Sequence, residues 1–219
     1  KWRNNTNLPY YVSGTVDIRD VGGSGSGANT MTVEMETGVV VKFESGGEIV
    51  VGSNSDAWQY GALIADSVVF TSSQDTPTAG WWKGITHYNY SSDGTNRITN
   101  SVVRYGGGNG LGNIYYTNSK GVVRGTIVSH SSKAGIYLTS SSDMEIVQDT
   151  ITNNGGDGIK FTTSSTVNDP PAIRENVLDT NSGYAMVVYA DDVSETLSNN
   201  RAGASHDTRG IRVVGEVVG

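Results

Sequence analysis

Short apolar runs separated by glycine and small polar residues recur along the whole chain. Tyr11–Ile18 alternates apolar and polar with period two, and Met31–Phe43 (MTVEMETGVVVKF) reads as two strands joined by Thr37-Gly38. Gly47–Val51 and Ser67–Phe70 add two more. From residue 84 onward the pattern becomes periodic. A glycine opens a short apolar run at Gly84, Gly112, Gly135, Gly158, Gly183 and Gly210, with steps of 28, 23, 23, 25 and 27 residues. A second run recurs between these anchors at Val102-Val103, Thr126–Val128, Thr150-Ile151 and Asn176–Leu178. A third comes earlier in each unit, at Val122-Val123, Glu145–Val147 and Ala172-Ile173. No window carries the i, i+3, i+4 spacing of an amphipathic helix.

Three very short strands cannot bury two faces by themselves. Stacking each unit on the next solves the problem, because every strand then pairs in parallel with its equivalent about 4.8 Å away and the inward residues fill a continuous narrow core. The pattern therefore predicts an all-β fold, a parallel β-helix with about three short strands per 22–28-residue coil. A leucine-rich repeat would need L-x-x-L-x-L spacing, and a propeller about 40 residues per blade. A calcium roll would need Gly-Gly-x-Gly-x-Asp repeated in tandem, whereas Gly155-Gly156-Asp157-Gly158 occurs once. The four prolines (Pro9, Pro77, Pro170, Pro171) all fall between predicted strands, where a missing N–H breaks no ladder. Residues 1–219 read as one domain, with 1–30 forming an N-terminal cap or first coil and 31–219 the stacked coils. The chain starts at Lys1, which points to a removed segment or a longer parent.

Composition narrows the function. The 219 residues contain no cysteine, so neither disulfides nor thiolate metal sites hold the fold. A formal charge of −7 argues against nucleic acid and anionic lipid as partners. No stretch reaches the roughly 18 apolar residues of a membrane span.

Four stretches resemble the right-handed parallel β-helix proteins related to the pectate-lyase-like fold: YYVSGTVDI, TVEMETGVVVKFESGGEIVV, SVVFTSSQDTPTAGWWKGI and NSVVRYGG. The resemblance covers essentially the whole chain. It implies a secreted or surface protein, extracellular in location, in a group where some members act on polysaccharide and others are adhesins or surface-layer parts. It also implies where to look for chemistry. Hydrolases of this fold use aspartates on neighbouring coils, and the nearest match is Asp191 and Asp192, with Asp149, Asp157, His206 and Arg212 within one coil. The Asn-Thr-Asp, Gly-His-Gly and Arg-Ile-Lys motifs of those enzymes are missing, and turn roles explain the two aspartates more simply. Lyases of this fold use a basic residue and often calcium. Arg104, Arg124, Lys160 and Arg174 fall in strands and could form an outward basic row, yet the Arg-x-Pro-x-x-Arg signature is absent. No cofactor or metal is expected. His87, His130 and His206 stand in separate coils and suggest no zinc site.

Aromatic residues remain as sugar-stacking candidates. In Trp81-Trp82 and Tyr115-Tyr116, alternation turns one ring of each pair outward, and Trp82, Tyr115 and Tyr137 are taken as the outward set. Asn4 and Asn89 head glycan acceptor patterns. The two ends of a solenoid expose unpaired backbone groups. Lys1–Pro9 is short and polar enough to cover one end. At the other, Gly210–Gly219 finishes on strand-like residues, so Ile211, Val213, Val214 and Val217 are expected to form an assembly edge. The combined expectation is a non-enzymatic extracellular structural or adhesive module of an envelope, sheath, filament or fibre. It would self-associate, or dock a neighbouring domain, through its uncapped C-terminal end. A polysaccharide-binding or polysaccharide-degrading domain is the alternative.

Overall fold

A computed structural model describes residues 1–21, 29–140, 142–162, 171–190, 193, 197–204 and 209–215. The chain winds as a β-solenoid of about 7 turns, and among the described residues every strand pairing in its three sheets is parallel. Sheet I stacks Tyr10–Val12, Val40–Phe43, Val69–Ser72, Val102–Arg104, Ile127–Ser129, Thr150–Thr152, Val177–Asp179 and Arg201–Ala202. Sheet II stacks Thr15–Ile18, Glu48–Val51, Gly84–His87, Gly112–Thr117, Ala134–Thr139, Ile159–Phe161, Tyr184–Tyr189 and Arg209–Val214. Sheet III stacks Met31–Met35, Gly61–Asp66, Arg97–Thr99, Gly121–Arg124, Met144–Val147, Ala172–Arg174 and Leu197–Ser198. Each coil visits sheets III, I and II in turn.

Parallel stacking places like residues over like, so the core consists of columns. In sheet II one inward column runs Val16, Ile49, Ile85, Ile114, Ile136, Ile159, Met186, Ile211. In sheet I another runs Tyr10, Val41, Phe70, Val103, Val128, Ile151, Leu178, Ala202. The isoleucines, rather than the glycines, keep step. Gly112 pairs with Ala134, and Asn113 occupies the position that Gly84, Gly135 and Gly158 hold in their coils. That position lies tight against the next coil: a Cβ on Gly135 would meet Gly158 O at 2.7 Å and Ile151 Cγ2 at 2.7 Å.

The corners explain why the coils can be so short. Between sheets III and I the chain turns on a single residue with positive φ: Ser67, Asn100, Gly125, Gln148, Glu175 and Asn199 in successive coils. Between sheets I and II, Tyr105, His130, Asn153 and Thr180 do the same. For non-glycine residues this conformation costs roughly 1 kcal/mol or more each. A buried polar residue follows each of these turns in most coils, and its side chain accepts the backbone N–H of its counterpart one coil earlier. At the III–I corner the rungs are Val68–Ser101, Ser101–Thr126, Thr126–Asp149, Asp149–Asn176 and Asn176–Asn200. Those steps span 33, 25, 23, 27 and 24 residues, so the N-terminal coils exceed the pitch expected from the sequence. At the I–II corner the rungs are Ser131–Asn154 and Asn154–Asn181. These bonds satisfy interior N–H groups that no strand can reach.

The N-terminal segment does something other than cover an end. Trp2 bridges Met35 in parallel, which makes it the first rung of sheet III. Its ring stacks on Tyr10 at 4.9 Å. Trp2, Tyr10–Val12 and Thr15–Ile18 are therefore the first winding itself, in which Val12 and Ile18 are buried and Trp2, Tyr10 and Val16 half-buried.

Candidate functional site

On the outer face of sheet II one outward column runs Asp17, Val50, Thr86, Tyr115, Tyr137, Lys160, Val187, Arg212. Its middle is aromatic. The Tyr115 and Tyr137 rings lie 5.5 Å apart at 47°, and Lys160 Nζ sits 4.8 Å from the Tyr137 centroid. The hydroxyls are anchored one coil on, Tyr115 to Thr139 at 2.9 Å and Tyr137 to Thr162 at 3.3 Å. Both rings are half-buried, so each keeps part of its surface accessible. Two rings and an ammonium group, spaced by the coil rise along the solenoid axis, can contact successive units of an extended ligand.

Trp82 does not belong to this face. It is 0% exposed, stacked on Phe43 at 4.0 Å and 7°, with its indole N–H donating to Arg104 O at 2.9 Å. A ring enclosed in this way cannot stack on a sugar. The expected basic row is also dispersed. Arg104 lies on sheet I, Lys160 on sheet II, and Arg124 and Arg174 on sheet III, where both pair with Glu145.

The titratable groups of the interior are separated as well. His87 continues an inward column between Val51 and Tyr116, stacked on the Tyr116 ring at 4.1 Å and 7°. Burial pushes its imidazole down to about 3, and neither ring nitrogen has a hydrogen-bond partner. Burial likewise raises the Tyr116 phenol. Asp149 lies inside the III–I corner, and Asp157 lies at the I–II corner, where it accepts the Tyr184 N–H at 2.8 Å. Neither carboxylate faces the other. Burial pushes Asp149 up to about 7 against the hydrogen bonds from Thr126 and Val147 and the charge of Arg124. His130 packs on Tyr105 at 5.0 Å; partial burial and the Arg104 charge hold it below its usual value. Among the described residues no three His, Cys, Asp or Glu side chains converge as metal ligands. Asp191, Asp192, His206 and Val217 lie outside the described residues. Asn4 is exposed with its amide donating to Thr37 O at 3.0 Å, and Asn89 is half-buried.

The C-terminal winding presents the second candidate surface. Met186 and Val188 are 1% and 2% exposed, whereas Ile211 and Val213, their partners in the next rung, are 50% and 54% exposed. Val214 is half-buried. Arg209 and Arg212 lie over the Tyr184 ring at 5.8 and 5.6 Å. Alternation in RGIRVV points to one apolar face, but only the register reveals that this face continues the core columns.

Residues 38–217 match the family model described as right handed beta helix region. No curated protein and no solved structure matches the chain.

Proposed function

The chain belongs to the right-handed β-helix family, and on that frame we propose a non-enzymatic structural or adhesive module, working outside the cell, that docks through its C-terminal winding. The observation that carries this reading is the pair Ile211 and Val213. They continue the core but stand half-exposed, while the same columns one rung earlier are sealed. Such a surface gains by being covered, because apolar area and unpaired strand-edge groups are removed from water together. Sedimentation velocity of the full chain over a concentration series tests it. The wild type is expected to form species heavier than its 23.1 kDa monomer, and Ile211→Asp with Val213→Asp is expected to abolish them. A wild type that sediments as a monomer at every concentration overturns self-docking.

A second reading, polysaccharide binding, is favoured by the Tyr115–Tyr137–Lys160 row. It predicts retardation in gels cast with uronic-acid polymer, lost on Tyr137→Ala. Equal migration with and without polymer removes this reading.

A further inference from the structure

We propose that Asn109-Gly110 is a self-modification site: the folded loop converts Asn109 into aspartate and isoaspartate, with water as the only co-reactant and ammonia as the leaving group. This chemistry needs neither docking nor polysaccharide binding.

Asn-Gly occurs twice in the chain, at Asn109-Gly110 and Asn154-Gly155. The two pairs read alike in the sequence, and the fold separates them. Asn154 is a rung of the I–II corner, 1% exposed. Its Oδ1 accepts Ser131 N at 3.0 Å, and its Nδ2 donates to Asn181 Oδ1 at 2.9 Å and Val128 O at 3.3 Å. The Gly155 N–H donates to Ser131 O at 2.8 Å. Leaving group and nucleophile are both locked there. Asn109 stands in the loop between Val102–Arg104 and Gly112–Thr117, half-buried and followed by an exposed glycine at φ 85. A Cβ on Gly110 would meet nothing within 4 Å, so the backbone has room to swing onto the side chain. The Gly110 N–H donates to Gly107 O, 3.0 Å away in the same loop, and a local opening of the loop releases it.

The side-chain carbonyl of Asn109 is polarised for attack. Its Oδ1 accepts Leu111 N at 2.8 Å and Gly112 N at 3.4 Å. Two backbone N–H groups aimed at one carbonyl oxygen stabilise the negative charge that develops there when its carbon is attacked. Gly110 N, its proton lost to solvent base, adds to Asn109 Cγ. The oxyanion on Oδ1 collapses, the Cγ–Nδ2 bond breaks, and the departing nitrogen takes up a proton as ammonia. A cyclic succinimide remains. Water then opens one of the ring's two carbonyl–nitrogen bonds, giving an aspartate or an isoaspartyl link, and nothing is oxidised or reduced. The aspartate keeps an oxygen for Leu111 and Gly112 and adds one negative charge. The isoaspartyl form lengthens the backbone by a methylene just before Gly112–Thr117, the strand that carries Tyr115.

The test incubates the folded full chain and a urea-unfolded sample in the same mildly alkaline buffer, and follows both asparagines by peptide mapping with mass spectrometry. In the folded chain Asn109 is expected to convert about a hundredfold faster than Asn154, which reacts only when its corner opens. In urea both convert. Asn109→Ser keeps an oxygen for the two N–H groups and should remove the acidic species that ageing produces on ion exchange. An Asn109 that stays intact in the folded chain while it converts in urea overturns the proposal. Equal conversion of Asn109 and Asn154 in the folded chain overturns it too, as does an acidic species that forms at the same rate in Asn109→Ser.

Discussion

Replacing Asp149 by asparagine asks whether a carboxyl group sits protonated inside the folded chain. Asn176 and Asn200, the next two rungs of the same ladder, each accept an N–H through Oδ1 and donate Nδ2 to a carbonyl one coil earlier, Ile146 O at 2.9 Å and Ile173 O at 2.7 Å. Asp149 makes the first of these bonds, to Thr126 N at 2.7 Å, but its buried Oδ2 has no donor to offer when ionised. A proton on that oxygen supplies the missing donor. The folded value of about 7 lies some three units above the ordinary 3.8. At 1.36 kcal/mol per unit that is about 4 kcal/mol. The folded form has the raised pKa, so this stability is fully present below about pH 3.8 and is lost as pH rises through about 7.

His87 has the opposite sign. Its folded value is depressed from 6.5 to about 3, so its contribution is complete above 6.5 and is lost as pH falls toward 3. Over the shared window, from about pH 4 to 6.5, the two slopes of about 1.4 kcal/mol per pH unit oppose each other. The wild type is therefore expected to be nearly level there. Asp149→Asn should leave a profile that rises with pH, and His87→Phe one that falls. His130, also depressed, acts in the same sense as His87. Asp66, lowered chiefly by its hydrogen bond from Thr99, acts only below 3.8. Urea unfolding midpoints across this range, at fixed ionic strength, provide the measurement. If Asp149→Asn parallels the wild type, the buried carboxyl is not protonated and the reasoning fails.

Three further substitutions probe the winding itself. Gly135→Ala drives a Cβ into Gly158 O and Ile151 Cγ2 and should cost about 2–4 kcal/mol, read as a lowered Tm. Asn154→Leu removes the acceptor of Ser131 N and the donor to Val128 O, and should cost about 2–3 kcal/mol in urea; a change under about 0.5 would mean the rung is dispensable. Thr180, a β-branched residue at φ 49, should yield a more stable chain as Thr180→Asn, by about 0.5–1 kcal/mol. An unchanged or lower urea midpoint would contradict the claim that the corner is strained.

Strand content, parallel stacking and the three-strand coil were legible in the sequence, because a solenoid gives every coil the same neighbours and so writes the same short alternation again and again. The corners were less legible. Glycine and asparagine are the usual signs of a positive φ, but Gln148, Glu175, Tyr105, His130 and Thr180 hold that conformation here, and all but Tyr105 are followed by a buried ladder residue. Which tyrosine of Tyr115-Tyr116 faces outward, and that Trp82 faces the core, depended on pairing with strands more than twenty residues away.

The amino-acid sequence alone determined that the chain must stack, because no unit of it could bury its own apolar face. Only the tertiary structure decided the register. Register assigned Gly112 and Gly135 to different steps, placed Asp149 and His87 in the interior, and brought Tyr115, Tyr137 and Lys160 into one row. The reason is physical. Alternation is a property of neighbours along the chain, whereas a column is a property of neighbours across coils, and coils of unequal length leave that second relation unwritten until the backbones pair.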